Sequence, residues 1–403
     1  MRPFSSTISL DEARRRLQAN LRPIERTERI ALADAFGRVG AADVFSSTDV
    51  PPFARSAMDG YAVRAADVSP ASREAPVTLR ILDRIYTGQP SSVTIGSGTC
   101  AEIATGAPMP DGADAVVMVE ETEAAGDTAV RVFAAATAGQ HIGRRGGDIV
   151  HGDRVASRGE LLTPSRIGAL AAVGCVDLEV YARPRVAILS TGNEVIEGGR
   201  PLEPGQIYDV NRFTLASIVT AHGGVAEAHR PVADTVDALV VALTVCSTAD
   251  LIVFSGGSSV GERDLLVDAV AAAHGEVVFH GIAVRPGKPT AFARIGSTPF
   301  FGMPGNPTSC LSNAYVLLVP FLRALARLPA HAPRTVRVPL ARRIASAAGR
   351  HQFYTVQLRD GAAHPAFKGS GDITSLSRAD GYIEIPADQD VVEQGALVDV
   401  TLL

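Results

Sequence analysis

"RPRVAILSTG", residues 183–192, is an apolar, partly β-branched run that stops at a Ser-Thr-Gly turn, and "DLIVFSGG", residues 250–257, repeats the design. Short apolar runs bounded by turn residues read as buried strands. Between them the pattern predicts a helix over about 211–221, a strand near Val225 and a second helix in "TVDALVVALTVC" (235–246). A third helix is expected over about 264–274. Strands alternating with helices form βαβ units, so 183–330 is expected to fold as an α/β domain around an open, mostly parallel sheet. Such sheets bind ligands beyond the carboxyl ends of their strands. "STGNE" and "SGGSSVGERD" follow two of those ends directly.

The texture changes on either side. Residues 1–45 read as helical and end in "IALADAFGRVGAADV", whereas 46–149 break into short β segments such as "VTLRILDRIYTG" and "TAVRVFAAATAGQ". "LLTPSRIGALAAVG" (161–174) returns to helix, with Pro164 near its start and Gly174 past its end. The reading is a multidomain chain: a helical linker domain (1–45 plus 150–182), an inserted β-rich domain (46–149), the α/β domain (183–330) and a carboxy-terminal β domain (331–403).

Composition narrows the function. With 403 residues, 46% hydrophobic and 20% charged, the chain has the makings of a soluble protein of two to four domains. A net charge of −5 without a dense Lys/Arg run suggests neither nucleic acid nor a membrane surface as partner, and points to a small ligand. The amino terminus lacks the apolar core of a signal peptide and no run approaches 18 apolar residues, so a cytoplasmic location is expected. Cys100, Cys175, Cys246 and Cys310 are too scattered for a zinc site or disulfide framework. The nine histidines make no ligand pair at helical spacing.

The strand-end loops carry the chemistry. Ser255, Gly256 and Gly257 open a glycine-rich turn whose backbone N–H groups suit an oxyanion, although such turns also occur without a ligand. No Walker pattern is present. Gly257 to Gly261 matches G-x-S-x-G, but three residues separate Val260 from the helix start and His274 lies roughly 15 Å away at the far end of that helix, which rules against a hydrolase. Two P-G-x-P-T turns follow, "RPGKPTAFA" (285–293) and "GMPGNPTSC" (302–310), and should share one edge of the sheet. The first brings Arg285 and Lys288, and the second opens a long helix over about 307–328. Glu194, Asp264 and Asp234 stand against these donors. Acids around an anion imply a bridging hard cation, most simply Mg²⁺; helix capping explains Asp234 equally well. In "PPFARSAMDGYAV" (51–63), Asp59 occupies a turn between apolar segments, either as its cap or as a carboxylate delivered to a site built elsewhere.

Taken in order, "SAMDGYAV", "TGAPMPDGADAVV", "GRRGGDIV", "LSTGNEV", "GQIYDVNRF", "SGGSSVGERD", "RPGKPTAF" and "GMPGNPTS" resemble the MoeA family of molybdopterin molybdenumtransferases, relatives of the carboxy-terminal domain of gephyrin. The resemblance covers nearly the whole chain. It implies insertion of molybdate into adenylylated molybdopterin, with Mg²⁺ and release of AMP. It further implies a homodimer whose cleft joins the α/β domain of one subunit to the β-rich domain of the other, and contacts with molybdopterin adenylyltransferase and acceptor molybdoenzymes. Carried over by motif, the functional residues are Asp59, Thr105, Asp148, Glu194, Asp234, Asp264, Lys288, Pro304 and Pro307, with Mg²⁺ on Asp264 and Glu194 and with Arg144, Arg145 and Arg285 as anion contacts. Asn193 and Gly147 stand where many members carry acids, removing two potential charges. Arg285 replaces a lysine, exchanging a point charge for a fork that can bind two oxygens. A gephyrin-type scaffold and an adenylyltransferase acting one step earlier are the alternatives; the scaffold would not need the acids and the adenylyltransferase would consume ATP.

Overall fold

The computed structural model describes residues 7–256, 265–346 and 349–403. The chain divides into two compact units, one made of residues through Glu28, Gly37–Val39 and Glu179–Leu403, the other of Arg29–Phe36 and Gly40–Leu178.

The first unit is built on a six-stranded sheet in the order Val225–Ala228, Arg185–Ser190, Leu251–Ser255, Thr298–Met303, Ala291–Ile295, Glu276–His280. The first four strands run parallel, Ala291–Ile295 runs antiparallel to them, and Glu276–His280, antiparallel to Ala291–Ile295, runs in the same direction as the first four. Alternation along Arg185–Ser190 explains the layers. Val186 and Ile188 point to one face, where they meet helix Asn211–Ala221 and the helical run Pro307–Leu325. Ala187 and Leu189 point to the other, against Val236–Val245 and Leu265–Ala272. Because both faces are covered, Leu251–Ser255 is buried at every residue. Register makes Ser190 level with Ser255 and Ser255 level with Met303, so three parallel strands end side by side. The run Pro307–Leu325 is long and apolar enough to cross a membrane, but 72% of it is buried inside the fold.

Beyond it, Val284–Arg285, His351–Arg359, Gly381–Ile385, Leu397–Leu402 and Thr335–Pro339 form a second sheet, with Ala362–Pro365 added to His351–Arg359. Its own core includes Leu340, Val356, Ile383 and Val400.

The second unit holds a mixed sheet in the order Ala115–Met118, Gly60–Val63, Thr99–Ile103, Val77–Ile85, Ala129–Val132, Thr122–Ala124. Its helix Pro164–Ala172 starts at proline, with the Thr163 hydroxyl accepting from Arg166 N–H, and Gly174 just beyond its end takes φ +78°. One expectation fails. Residues 1–45 are not helical throughout: only Leu10–Ala19 is an α-helix, Thr27–Ala31 is a strand, and Leu32–Asp34 makes a single 3₁₀ turn. The helical pattern of 30–44 loses to a non-local partner, since Leu32 N–H bonds the Val176 carbonyl at 2.9 Å, and Gly37 at φ +72° breaks the helical path.

Candidate functional site at the strand ends

In the first unit the site begins where the parallel strands stop. Ser190 donates its hydroxyl to the buried Asp209 carboxylate at 2.6 Å, and Asp209 also accepts the Arg212 N–H at 3.1 Å. Thr191 donates to the Val232 carbonyl at 3.0 Å and to Asp234 Oδ1 at 3.2 Å, while the Asn193 side-chain oxygen accepts Asp234 N–H at 3.5 Å. Asp234 is thus tied to the end of Arg185–Ser190. It precedes Thr235, which takes the helix-capping role instead, its hydroxyl accepting from Ala238 N–H. Glu194 is exposed, its carboxylate lying over Gly192.

Ser255 ends the next strand and Gly256 follows at φ +109°. A Cβ there would lie 2.3 Å from the Thr191 carbonyl oxygen, so only glycine fits between the two strand ends. Buried Asn211 donates through Nδ2 to Ser255 Oγ and to the Gly305 carbonyl, both at 2.7 Å, and so fastens the serine-glycine turn to the proline loop. In that loop Pro304 is buried and Pro307 begins the helix, whose early N–H groups at Thr308 and Ser309 reach the Ser370 carbonyl. The 285–290 turn lies at the same sheet edge, because Ala291 pairs beside Gly302. Gly287, at φ +102°, packs so tightly on Asn313 that a Cβ would sit 2.1 Å from its Nδ2. Arg285 is exposed and Lys288 half-buried. Gly257 and Asp264 lie outside the described residues.

In the second unit Asp59 and Thr105 meet. Thr105 donates its N–H (2.7 Å) and hydroxyl (2.9 Å) to Asp59 Oδ1. The backbone N–H first, and then the hydroxyl, hold the Asp59 pKa below its usual value, so the group is a carboxylate at neutral pH. Gly60 is obligatory: a Cβ there would be 1.9 Å from the Val117 carbonyl oxygen. Asp148 is exposed and fixed by its N–H to the Val50 carbonyl at 3.0 Å. Arg144 is exposed, but Arg145 is engaged with Asp49 at 2.6 Å rather than presented freely to an anion.

Among the described residues no three His, Cys, Asp or Glu side chains stand close enough to share a metal. Mg²⁺ does not require such a cage, since it is ordinarily held by one or two carboxylates with water and substrate phosphates. The exposed oxygens of Glu194 fit that donor chemistry.

Three family models match in series: the MoeA N-terminal region (domain I and II) over residues 8–174, a molybdopterin-binding domain described as probable over 187–324, and the MoeA C-terminal region (domain IV) over 337–403. Molybdopterin molybdenumtransferase 2 of Mycobacterium tuberculosis is 38% identical, with 91% of this chain and 92% of the relative covered. The chain belongs to the MoeA family. Molybdopterin molybdenumtransferase of Haemophilus influenzae is 32% identical over 98% of both chains. Among solved structures, a molybdopterin biosynthesis MoeA protein from Pyrococcus horikoshii superposes with a TM-score of 0.82 at 28% identity, covering 99% of this chain and 100% of that one. A second, from the same genus, has a TM-score of 0.85 at 36% identity over 98% and 99%.

Asp209 and Asn211 are the polar residues that the sequence did not single out for this MoeA chain. An Asp followed shortly by an apolar-periodic helix reads as a cap, and Asp209 does accept the Arg212 N–H. Nothing local announces that both side chains are buried beneath the strand-end loops.

Proposed function

We propose that this chain inserts molybdate into adenylylated molybdopterin, with Mg²⁺-dependent release of AMP. The observation that carries the reading is the pair of loops at Ser255–Gly256 and Pro304–Pro307, fastened by Asn211 at level ends of parallel strands. The cations Arg285 and Lys288 on the neighbouring turn suit the phosphate oxygens of the substrate and the molybdate oxyanion. Glu194, with Asp264, would hold Mg²⁺, which when bound neutralises charge on the phosphoanhydride. The protein orients the substrate and keeps Asp59 ionised; water attacks the anhydride phosphorus, the P–O–P bond breaks and AMP leaves with the terminal phosphate remaining on the pterin, while the two dithiolene sulfurs bond molybdenum as one molybdate oxo group departs with the two thiol protons as water, molybdenum staying hexavalent. No protein nucleophile is involved. Burial pushes the Cys310 thiol, beside Ser255, up to about 12, which suits a packing residue and not an attacking thiolate.

The relatives named as molybdenumtransferases span nearly the whole chain, which favours this reading over an adenylyltransferase or a pure scaffold. We also propose a cytoplasmic homodimer. Incubating the purified chain with adenylylated molybdopterin, Mg²⁺ and molybdate should release AMP, and omission of either Mg²⁺ or molybdate should suppress it. Absence of AMP release with all three present refutes the assignment.

A further inference from the structure

We infer that Tyr86 is a stacking wall for a flat heteroaromatic ring of the substrate, placed beside the Asp59–Thr105 pair. The inference rests on the proposed function, which supplies a substrate with two such rings, a purine and a pterin. Within the second unit, Gly60–Val63, Thr99–Ile103 and Val77–Ile85 are successive neighbours in the sheet. Gly60 pairs with Ile103, and Ile85 pairs with that same Ile103. Asp59, Thr105 and Tyr86 therefore leave three adjacent strands at one end, with Asp59 and Tyr86 two strand spacings apart, about 10 Å between backbones. Two hydrogen bonds fasten the arrangement. Thr87 donates its hydroxyl to the Thr105 carbonyl at 3.0 Å, and Ala104 N–H bonds the Ile85 carbonyl at 3.0 Å, so the Tyr86 turn is fastened to the residue that holds Asp59.

Tyr86 is 55% exposed, and Met58, next to Asp59, is 42% exposed. Phe36 and Phe45 are exposed on the same unit, but no hydrogen-bonded carboxylate of the candidate site adjoins them in sequence. Thr105 occupies Oδ1 of Asp59 and leaves Oδ2 to accept from a ring N–H, an amino group or a ribose hydroxyl. A flat ring that carries such a donor matches an aromatic face and a carboxylate presented together. Stacking of a base on an aromatic side chain contributes roughly 1–3 kcal/mol, so losing the ring should weaken binding about tenfold or more.

The chain contains no tryptophan, so Tyr86→Trp creates a single reporter at the proposed wall. Full-length Tyr86→Trp protein is titrated with AMP, with neopterin and with ribose 5-phosphate, against free N-acetyltryptophanamide as the control for absorption. Saturable quenching by AMP assigns the wall to the purine and by neopterin to the pterin; ribose 5-phosphate should be silent. Lack of saturable quenching by both ring compounds overturns the inference. In the AMP-release assay, Tyr86→Ala should raise KM for adenylylated molybdopterin about tenfold, and Tyr86→Phe, which keeps the ring, should retain the wild-type KM. A wild-type enzyme that releases AMP while Tyr86→Ala keeps its KM removes the stacking role and leaves the proposed function standing. A wild-type chain that releases no AMP sinks the proposed function, and the fluorescence titration still decides whether the ring site exists.

Discussion

At Gly256 the backbone conformation and the space around it make the same demand: φ is +109°, and a methyl group would meet the Thr191 carbonyl at 2.3 Å. Gly256→Ala must push two strand ends apart. The expected cost is about 1–3 kcal/mol of stability, read as a lower urea midpoint, together with at least a tenfold rise in KM for adenylylated molybdopterin. Wild-type values in both measurements would detach this loop from the ligand. A different single-residue effect concerns His222, whose ring lies edge-on to His331 at 5.2 Å between centroids. Burial first, then the neighbouring His331 and Arg323, lower the His222 pKa from 6.5 to about 4. The unfolded chain then binds more protons than the folded one between those values, so stability should be full above pH 6.5 and fall as pH drops towards 4. Thermal melts of His222→Gln should show a flatter dependence between pH 7 and 4.5; an unchanged slope would assign the loss to other groups. Gly256 was visible in the sequence because a glycine after an apolar run marks a special turn. His222 was not, because its partner His331 is brought to it by the fold alone.

Among the elements, the helical run Pro307–Leu325 joins site and core. Its buried face, including Leu317 and Phe321, packs under the sheet, while Pro307 starts it at the strand-end loops. Asn313, fully buried within it, donates to the Gly287 carbonyl at 2.8 Å and to Thr290 Oγ1 at 2.5 Å, so the turn bearing Arg285 and Lys288 is positioned by a helix. Asn313→Ala should cost about 1–3 kcal/mol by removing two buried hydrogen bonds, although the Gly287 carbonyl keeps the Thr290 hydroxyl as a donor, and should weaken competition by sulfate against molybdate. If AMP-release kinetics show the same sulfate inhibition as wild type, the turn does not bind the oxyanion. The strands Arg185–Ser190 and Leu251–Ser255 were legible because burial on both faces leaves an uninterrupted apolar run, and the turns after them because glycine and proline punctuate sharply. The region 30–44 was misread because its periodicity is local, whereas the bond from Leu32 to Val176 is not. The same limit hid Asn211: a buried amide that clamps loops remote in sequence looks, in the chain alone, like the first residue of a helix.

For the whole molecule, the residues proposed to act on one substrate are divided between two compact units: Asp59 and Thr105 in one, Glu194 and Asp234 in the other. In a two-fold dimer the resemblance implies that each cleft takes Asp59 from one copy and Glu194 from its partner, and that arrangement has a quantitative consequence. Asp59→Asn and Glu194→Gln chains should each be nearly inactive alone. Each change is near-isosteric and removes one charge at an exposed position, so both proteins should fold. When they are unfolded together and refolded, half of the dimers are mixed by random pairing. Every mixed dimer then holds one cleft with both lesions and one with neither, so the sample should recover roughly one quarter of wild-type AMP release if the clefts act independently. Mass analysis must show that mixed dimers formed. Given that control, recovered activity requires a cleft built from two copies, and a sample that stays inactive means that Asp59 and Glu194 serve the same copy or do not share a substrate.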